Sequence, residues 1–192
     1  MDVSRRAVLI GGAAAAWAGV ATCASRRLAE RPAAAAPAAD PYGPLVFPRD
    51  RRPAGPKLTG ELLDGSTFAP AMLDRRVAVV NFWASWCPPC RDETADLEAV
   101  HRATRQRGVA FLGINVRDDI DRATAFQRGR MTYPSLYDPA GRAALRFERV
   151  PPSTVPATVL LDRRGRIAVL FRKRVTRAAL EPAVHALAAE PE

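Results

Sequence analysis

Two cysteines spaced three residues apart are the part of this 192-residue chain best suited to chemistry. Cys87 and Cys90 lie in the stretch "VVNFWASWCPPCRDE", directly after an apolar run and with two prolines between them. A pair at this spacing can hold a metal ion, form a structural disulfide, or exchange electrons with other thiols and disulfides.

The first two uses fit the rest of the sequence poorly. Structural zinc needs four ligands, but the chain offers one cysteine pair and two isolated histidines, His101 and His185, so we expect no metal. The third cysteine, Cys23, lies far from the pair and implies no disulfide framework. In the entropic model the stabilisation from a disulfide grows with the loop that it closes, and this loop is nearly the shortest available.

Thiol–disulfide exchange fits the predicted local structure. The pattern from Pro88 to about Arg107 is helical, which places Cys87 where unpaired N–H groups and the helix dipole favour a thiolate. Cys90 lies one turn further on the same face, so it can close or resolve a disulfide. Pro88 and Pro89 fit the first turn, where a missing N–H costs nothing, and the Cys90 amide remains free to donate to the Cys87 sulfur. This chemistry requires Cys87 to be accessible from solvent.

Alternating apolar and amphipathic segments predict the elements that position the pair. Strands are expected at 77–83, 109–116, 133–138, at the end of 150–162 and at 166–173, helices at 88–107, 119–130, 140–148 and 176–189, and a hairpin within 57–73. Strands that alternate with helices imply a layered α/β sheet, and the final hairpin makes the sheet mixed.

The first 27 residues are typical of an export signal. A charged start with Arg5 and Arg6, which resembles the twin-arginine export motif, precedes 19 uncharged residues and two further arginines. The segment "VATC" resembles a lipobox in which Cys23 would be lipidated; the alternatives are cleavage at nearby small residues or retention as a membrane anchor. Each alternative predicts an exported domain, either at the outer side of the cytoplasmic membrane or secreted.

The next segment, residues 28–56, is rich in alanine and proline without periodicity, which predicts an unpacked tether. We therefore expect three parts: an export signal or anchor over 1–27, this tether, and one folded domain over 57–192.

The net charge of +9 does not indicate a nucleic-acid-binding protein. Residues 1–52 contribute +4 and the other 140 contribute +5, without a long basic block. Only Lys57 and Lys173 of the 29 basic residues are lysines, which is typical of a genomic composition bias. We expect no nucleic-acid partner.

On these residues the sequence resembles the thioredoxin superfamily, and within it the exported TlpA/ResA/DsbE-like thiol–disulfide oxidoreductases. The resemblance covers residues 57–190, and "NFWASWCPPC" resembles the active-site segment of that family. It implies a thioredoxin-like three-layer α/β sandwich with a mixed central sheet, helices on both faces, an N-terminal hairpin and an inserted helix. It implies no cofactor beyond a redox-active Cys87–Cys90 disulfide.

A second signature of the family resembles "VPATVLLDRRGRI". The resemblance implies that Pro156, preceded by Val155, forms a cis peptide bond beside the cysteines, where the neighbouring backbone pairs with substrate; the alternative is an ordinary trans loop proline. With these two residues, Trp86, Pro88 and Pro89 are expected to form the substrate-binding surface.

Glu93 is the expected third catalytic residue, beside the two cysteines. Cytoplasmic thioredoxins carry a proton-transferring aspartate at the position of Asn81, which cannot do this, whereas ResA-like proteins place a glutamate three residues after the second cysteine, where Glu93 stands. It lies one turn beyond Cys90 on the same face. The alternative is a solvated helix glutamate, as we expect for Asp92. Asp138 is expected to be a turn residue.

The resemblance implies an extracytoplasmic enzyme that reduces client disulfides, with apocytochrome c as one client and cytochrome c biogenesis as one process. A membrane thiol electron carrier would regenerate its reduced form, and we expect a monomer. The Pro88-Pro89 pair is not the most familiar in the family and leaves the direction of electron flow open. The alternatives are an oxidase of secreted proteins, a peroxiredoxin-like thiol peroxidase, which would rely on a lone cysteine with threonine and arginine partners, and a non-catalytic binding module.

Overall fold

A six-stranded mixed β-sheet is the centre of the molecule. The computed structural model describes residues 43–147, 150 and 154–191. The strands are β1 (Leu45–Val46), β2 (Gly60–Glu61), β3 (Thr67–Phe68), β4 (Val77–Trp83), β5 (Val109–Val116), β6 (Ser135–Asp138), β7 (Ala157–Leu161) and β8 (Ile167–Phe171). The helices are α1 (Pro88–Thr104), α2 (Ile120–Gln127), α3 (Arg142–Leu145) and α4 (Arg177–Ala188). The large sheet has the order β1-β8-β7-β4-β5-β6, and β2 and β3 form a separate hairpin.

Strand β4 lies inside the sheet because its apolar, β-branched sequence allows both of its faces to be covered. All seven of its residues are buried. Strand β5 runs parallel to it, with Val77 opposite Val109, and β7 runs antiparallel, with Ala78 opposite Leu161. The ends of β4 and β5 and the start of β7 therefore meet at one end of the sheet. We call it the cysteine end, because Cys87 follows β4 there.

Alternate residues of β4 contribute to two hydrophobic clusters, one on each face of the sheet. Val79 and Trp83 belong to the cluster that also contains apolar residues of α1, α2 and α4. Val80 and Phe82 belong to the cluster that includes Leu62 before the hairpin turn and residues of β3 and α3. The predicted mixed sheet with helices on both faces is confirmed, and α2 lies where the inserted helix was expected.

The predicted strands agree well with the structure. β4 and β5 have the expected bounds, 77–83 and 109–116. The predicted hairpin is formed by β2 and β3, with Gly60 opposite Phe68, and β7 and β8 form the final antiparallel pair. The strand expected from Tyr133 begins only at Ser135.

All four helices are shorter than predicted, the last by only one residue at each end. The first ends at Thr104, followed by one turn of 3₁₀ helix, before Gly108 turns the chain in the left-handed conformation with φ 74°. The second ends at Gln127, because the next residue is extended and Gly129 is left-handed with φ 73°. The helix expected over 140–148 spans only four residues, Arg142–Leu145. Its first residue follows a glycine at φ 66°.

The predicted tether over residues 28–56 is wrong for its C-terminal part. Leu45 pairs with Leu170 of β8, so this segment adds an edge strand to the sheet. Arg52 then donates hydrogen bonds to Asp162 at 3.2 Å and to Glu190 at 2.6 Å. The apolar residues of "PLVF" and one arginine with two carboxylate partners hold the segment in place, which the alanine- and proline-rich composition around them concealed. The folded domain therefore begins before residue 57.

The export signal over 1–27, with Cys23, and the first part of the tether lie outside the described residues. Within the part of the chain that the structure describes, no helix is long and apolar enough to cross a membrane.

Candidate active site

Cys87 and Cys90 form a disulfide across the first turn of α1. Their sulfurs are 2.04 Å apart and their Cα atoms 5.3 Å apart. Cys87 is the N-cap of the helix, and its sulfur accepts a hydrogen bond from the Cys90 amide at 3.2 Å. Pro88 and Pro89 occupy the first two helical positions, where no intrahelical N–H bond is lost. The helix N-terminus therefore offers the Cys87 sulfur one N–H donor and the positive end of the dipole.

The pair is more deeply covered than expected. Cys87 and Cys90 are each only 2% exposed and belong to the hydrophobic cluster on the α1 face of the sheet. The expectation that Cys87 is accessible from solvent is therefore wrong for the disulfide form. Trp86 is 51% exposed, and Pro88 and Pro89 are exposed beside it. In this disulfide form neither sulfur is open to an external thiol, although these three neighbours are exposed.

A polar clamp holds the turn that leads into Cys87. The Asp118 carboxylate accepts hydrogen bonds from the Ser85 amide and, at 2.8 Å, from the Ser85 hydroxyl. Asn115 donates a further bond to this carboxylate at 2.9 Å. The Trp86 indole N–H donates to the Arg117 carbonyl at 2.8 Å, and Arg117 has the uncommon left-handed φ of 51°. The segment after β5 thus fixes the segment after β4.

Sequence reasoning missed this clamp, although a signal existed. Asp118 is the second residue after the end of β5, as Ser85 is the second residue after the end of β4. The carboxyl ends of neighbouring parallel strands meet, so a polar residue after one is placed to bind the backbone after the other.

Glu93 is completely buried, with 0% of its surface exposed. Its two carboxylate oxygens accept hydrogen bonds from the Asn81 amide and from the Val175 backbone N–H, each at 2.8 Å. Burial raises the pKa of Glu93 to about 7, although these two bonds act in the opposite direction. The alternative of a solvated helix glutamate is wrong for Glu93, whereas Asp92 is exposed.

Asn81 has a role that its amide chemistry permits. It cannot transfer a proton as an aspartate would, but its side-chain N–H group also donates to the Thr158 hydroxyl at 3.1 Å. Asn81 thereby links β4, β7 and the Glu93 carboxylate of α1. It orients the carboxylate that lies one helical turn beyond Cys90.

The second signature lies beside the cysteines. The Val155–Pro156 peptide bond is cis. Pro156 is buried and Val155 is half-buried. Phe82 of β4 lies opposite Ala157, so the preceding proline is level with the end of β4 that leads to the cysteines.

Trp83 is a core residue rather than part of the rim. It is 2% exposed, packs on Phe126 with ring centroids 5.6 Å apart, and donates to the Ser135 hydroxyl at 3.3 Å. Gly113 makes this possible, because a Cβ there would collide with both Ser135 and the Trp83 indole.

The remaining candidates lie away from the pair or have structural roles. His101 is half-buried between the rings of Phe111 and Tyr133. His185 lies 3.8 Å from a carboxylate oxygen of Glu181 on the surface of α4. Asp138 accepts hydrogen bonds from two backbone N–H groups of α3, at 3.0 and 2.7 Å, as a turn residue does. Among the described residues no group of three or more His, Cys, Asp or Glu is arranged to hold a metal ion.

The chain is similar to proteins that are named for thiol–disulfide exchange. A family model described as the AhpC/TSA family matches residues 53–170. The chain is 37% identical over 111 residues to the thiol:disulfide interchange protein DsbE of Allochromatium vinosum, a match that covers 57% of this chain and 56% of that protein. The chain thus spans about half the length of the curated relatives it matches.

Solved structures match more completely. The secreted thiol-disulfide isomerase from Corynebacterium glutamicum has a TM-score of 0.74 and 31% identity, covering 80% of this chain and 96% of that one. The DsbF homologue from Corynebacterium diphtheriae has a TM-score of 0.72 and 32% identity, covering 79% and 96%. Nearly the whole of each solved chain is thus the domain described here, which shows that a domain of this kind folds on its own. This chain belongs to the AhpC/TSA family of thioredoxin-like proteins.

Proposed function

We propose that this protein is a thiol–disulfide oxidoreductase that works outside the cytoplasmic membrane and reduces the disulfides of client proteins. The observation that carries the proposal is the Cys87–Cys90 disulfide across the first turn of α1, on the same helix as a buried glutamate one turn further on. The family match supports the same chemistry, and so do the relatives, which are named as a thiol:disulfide interchange protein and a thiol-disulfide isomerase.

The first step is attack by the reduced protein on a client disulfide. The Cys87 thiolate forms a bond to one client sulfur, and the other client sulfur leaves as a thiolate. The start of α1 favours this thiolate, because the Cys90 amide and the helix dipole face the Cys87 sulfur.

The second step releases the client. Cys90 must lose its proton before it can attack the Cys87 sulfur of the mixed disulfide, and the Glu93 carboxylate accepts that proton directly or through water. The Cys87–Cys90 disulfide forms as the bond between Cys87 and the client sulfur breaks. That client sulfur leaves as a thiolate, which solvent protonates. Two electrons pass to the client. The Glu93 pKa of about 7 suits this role, because the carboxylate is ionised in part of the molecules at neutral pH.

The rim around the pair is the client-binding surface in this proposal. Trp86 is the large exposed apolar residue, held by the Arg117 carbonyl, and Pro88 and Pro89 lie exposed after it. Val155 and Pro156 present the backbone that would pair with an extended client segment.

The cellular setting is part of the proposal. Residues 1–27 would direct export, with Cys23 as the lipidation site if the protein is a lipoprotein. The secreted isomerase that this chain resembles supports an extracytoplasmic location. A membrane thiol electron carrier would restore the reduced form, apocytochrome c is one proposed client, and the protein would act as a monomer.

Trapping tests the proposal directly. Cys90→Ala keeps the attacking sulfur and removes the resolving one, so expression in the native host should accumulate mixed disulfides that mass spectrometry locates on Cys87. Cys87→Ala is the matched control and should trap nothing. Equal trapping by both variants, or none by either, contradicts the proposed mechanism.

Three measurements separate the rival functions. A reduction potential more oxidising than that of the client disulfides would reverse the direction of electron transfer. It would indicate that the same residues of this protein act as an oxidase of secreted proteins. Rapid peroxide turnover by Cys90→Ser would indicate a thiol peroxidase, since that chemistry needs one cysteine. A binding module would show insulin-disulfide reduction that Cys87→Ser does not change.

A further inference from the structure

The end of the sheet opposite the cysteines carries an unusual concentration of positive charge. It is formed by the starts of β4 and β5, the turn from β7 to β8, and the segments packed against them. We call it the basic end and define it as residues 49–52, Lys57, 74–76, 105–107, 162–166 and Glu190. Contacts join its parts: Arg52 binds Asp162 and Glu190, and Arg166 donates to the Arg49 carbonyl.

The charge of the basic end comes from a high density of basic residues. It holds 11 basic and 4 acidic residues, a net charge of +7. The rest of the described chain holds 12 basic and 11 acidic residues, a net charge of +1 with Glu93 counted as ionised. The basic end comprises only 17 residues and the rest of the described chain 127, so basic residues are several times denser at the basic end. A genomic bias towards arginine would enrich both regions alike and does not explain this local density.

Much of this charge faces solvent. Lys57, Arg107 and Arg164 are exposed. Other guanidinium groups bind neutral carbonyls, which leaves their charge uncompensated: Arg163 donates to the Ala188 and Glu190 carbonyls at 2.7 Å each. These bonds hold the cations in fixed positions at the C-terminus of α4.

The basic end contains a groove that several of these cations line. It has a volume of about 400 Å³ and passes between residues 54–58 and the turn that connects β7 to β8. Its lining includes the cations Lys57, Arg75, Arg163 and Arg164 and one carboxylate, that of Asp74. A phosphate-bearing group would find several donors there and little repulsion.

We propose that the basic end docks on an anionic phospholipid surface. Clustered basic residues bind such surfaces through the summed attraction of side chains within about one Debye length, roughly 8 Å at physiological salt. The sequence supports a membrane as the occupant, because an apolar run at residues 7–25 precedes the domain. Fifteen residues, 28–42, separate the export segment from the described domain, which limits its distance from an anchored segment to roughly 50 Å.

Docking in this way would give the domain a defined orientation. The basic end and the cysteine end lie at opposite ends of β4, so the disulfide would face away from the lipid. Clients would then reach the rim around Trp86 from the aqueous side. The inference shares with the proposed function only the expected membrane location, because lipid binding requires no exchange chemistry.

Vesicle flotation tests the inference. The experiment uses the domain from Ala39 onwards, which is a compact unit of its own, so that the apolar run at residues 7–25 cannot insert into lipid. The domain should float with vesicles that contain phosphatidylglycerol and not with pure phosphatidylcholine vesicles, and high salt should release it. The triple variant Lys57→Glu, Arg107→Glu and Arg164→Glu should bind at least about 100-fold more weakly.

The control matches the change in net charge at other positions. Arg122→Glu, Arg128→Glu and Arg142→Glu alter three exposed arginines outside the basic end and should bind less than about tenfold more weakly. Both triple variants should still reduce insulin disulfides, which shows that they fold and separates this test from that of the proposed function. Equal loss in both triples, or equal flotation with both kinds of vesicle, overturns the inference. Binding to polyglutamate without binding to vesicles also overturns it and indicates an acidic protein partner.

Discussion

The two ends of the sheet each bury a carboxylate, in opposite electrostatic settings. Glu93, near the cysteine end, accepts its hydrogen bonds from neutral donors, the Asn81 amide and the Val175 backbone. Asp162, at the basic end, accepts from the guanidinium groups of Arg52 and Arg166 at 3.2 and 2.9 Å. The sheet thus supports one carboxylate that is ready to gain a proton and another that is held ionised.

The pKa values follow from these partners. Burial dominates at Glu93 and raises its pKa to about 7. Burial also acts on Asp162, but the Arg166 amide and guanidinium, with Arg52 and the Arg164 amide, outweigh it and lower the pKa of that carboxyl. Burial alone therefore does not indicate a catalytic acid, because the charge of the partners decides whether a proton can be exchanged near neutral pH.

The largest expected effect is a loss of activity from a change at the cysteine end but not from one at the basic end. Cys87→Ser should lower insulin-disulfide reduction by at least about 1000-fold, because no other thiol in the domain stands at a helix N-terminus. Asp162→Asn should keep activity within about twofold of the unchanged protein, measured where both are folded. A comparable loss of activity in the two variants would contradict the assignment of the exchange chemistry to the cysteine end.

The second effect concerns stability at the basic end. The side chains of Arg52 and Asp162 are only 7% and 8% exposed, so Arg52→Met removes one of the two guanidinium groups that bind the buried Asp162 and the one that binds Glu190. The free energy of unfolding in urea should fall by about 3 kcal/mol. Arg51→Met is the control: its side chain is 81% exposed, and it should cost less than about 0.5 kcal/mol. Equal costs would mean that the buried ion pair does not anchor the N-terminal segment.

The third effect concerns proton transfer at the cysteine end. Glu93→Gln keeps the shape and the hydrogen-bond acceptor but cannot take up the Cys90 proton. The rate at which Cys90 resolves a mixed disulfide on Cys87, measured by rapid quenching, should fall about 100-fold near neutral pH. The unchanged protein should also lose resolution rate as the pH falls through about 7, and the variant should not show this dependence.

Asp92→Asn is the matched control for that experiment, since Asp92 is exposed on the same turn of the helix. It should leave the rate and its pH profile unchanged. If Glu93→Gln behaves in the same way, Glu93 is a structural residue and the contrast with Asp162 has no catalytic meaning.

The last effect is the pH dependence of stability, which is spread over several pH units. A carboxyl whose folded pKa is raised binds more protons in the folded state, so its contribution is complete below its ordinary pKa of 4.5 and is lost as the pH rises through about 7. The unfolding free energy of the unchanged protein relative to Glu93→Gln should therefore fall by about 3 kcal/mol from about pH 4 to about pH 8. A difference that stays constant with pH would show that Glu93 is not perturbed.

Much of the sheet follows from local sequence. β4 and β5 are buried apolar runs bounded by turn residues, so their limits are set by residues close in the chain. β1 could not be predicted, because two residues in a proline-rich segment become a strand only through pairing with β8, more than a hundred residues away. The Arg52 cluster with Asp162 and Glu190 has the same long-range origin.

The candidate site was predictable in its residues but not in its environment. Cys90, Glu93, Leu97 and Val100 recur at helical spacing, and all are buried. This stripe indicates that Glu93 faces the sheet, a signal that spacing from Cys90 alone does not provide. The covering of Cys87 depends on residues brought together by the fold, so no local pattern reveals it.

Differential alkylation of the reduced protein decides whether Cys87 is the attacking thiol. Iodoacetamide at about neutral pH, with mass-spectrometric readout, should modify Cys87 at least about tenfold faster than Cys90. That result would show that reduction uncovers Cys87 and that the start of α1 holds it as the reactive thiolate. Faster modification of Cys90, or no modification of either cysteine before unfolding, would contradict the proposed exchange at Cys87.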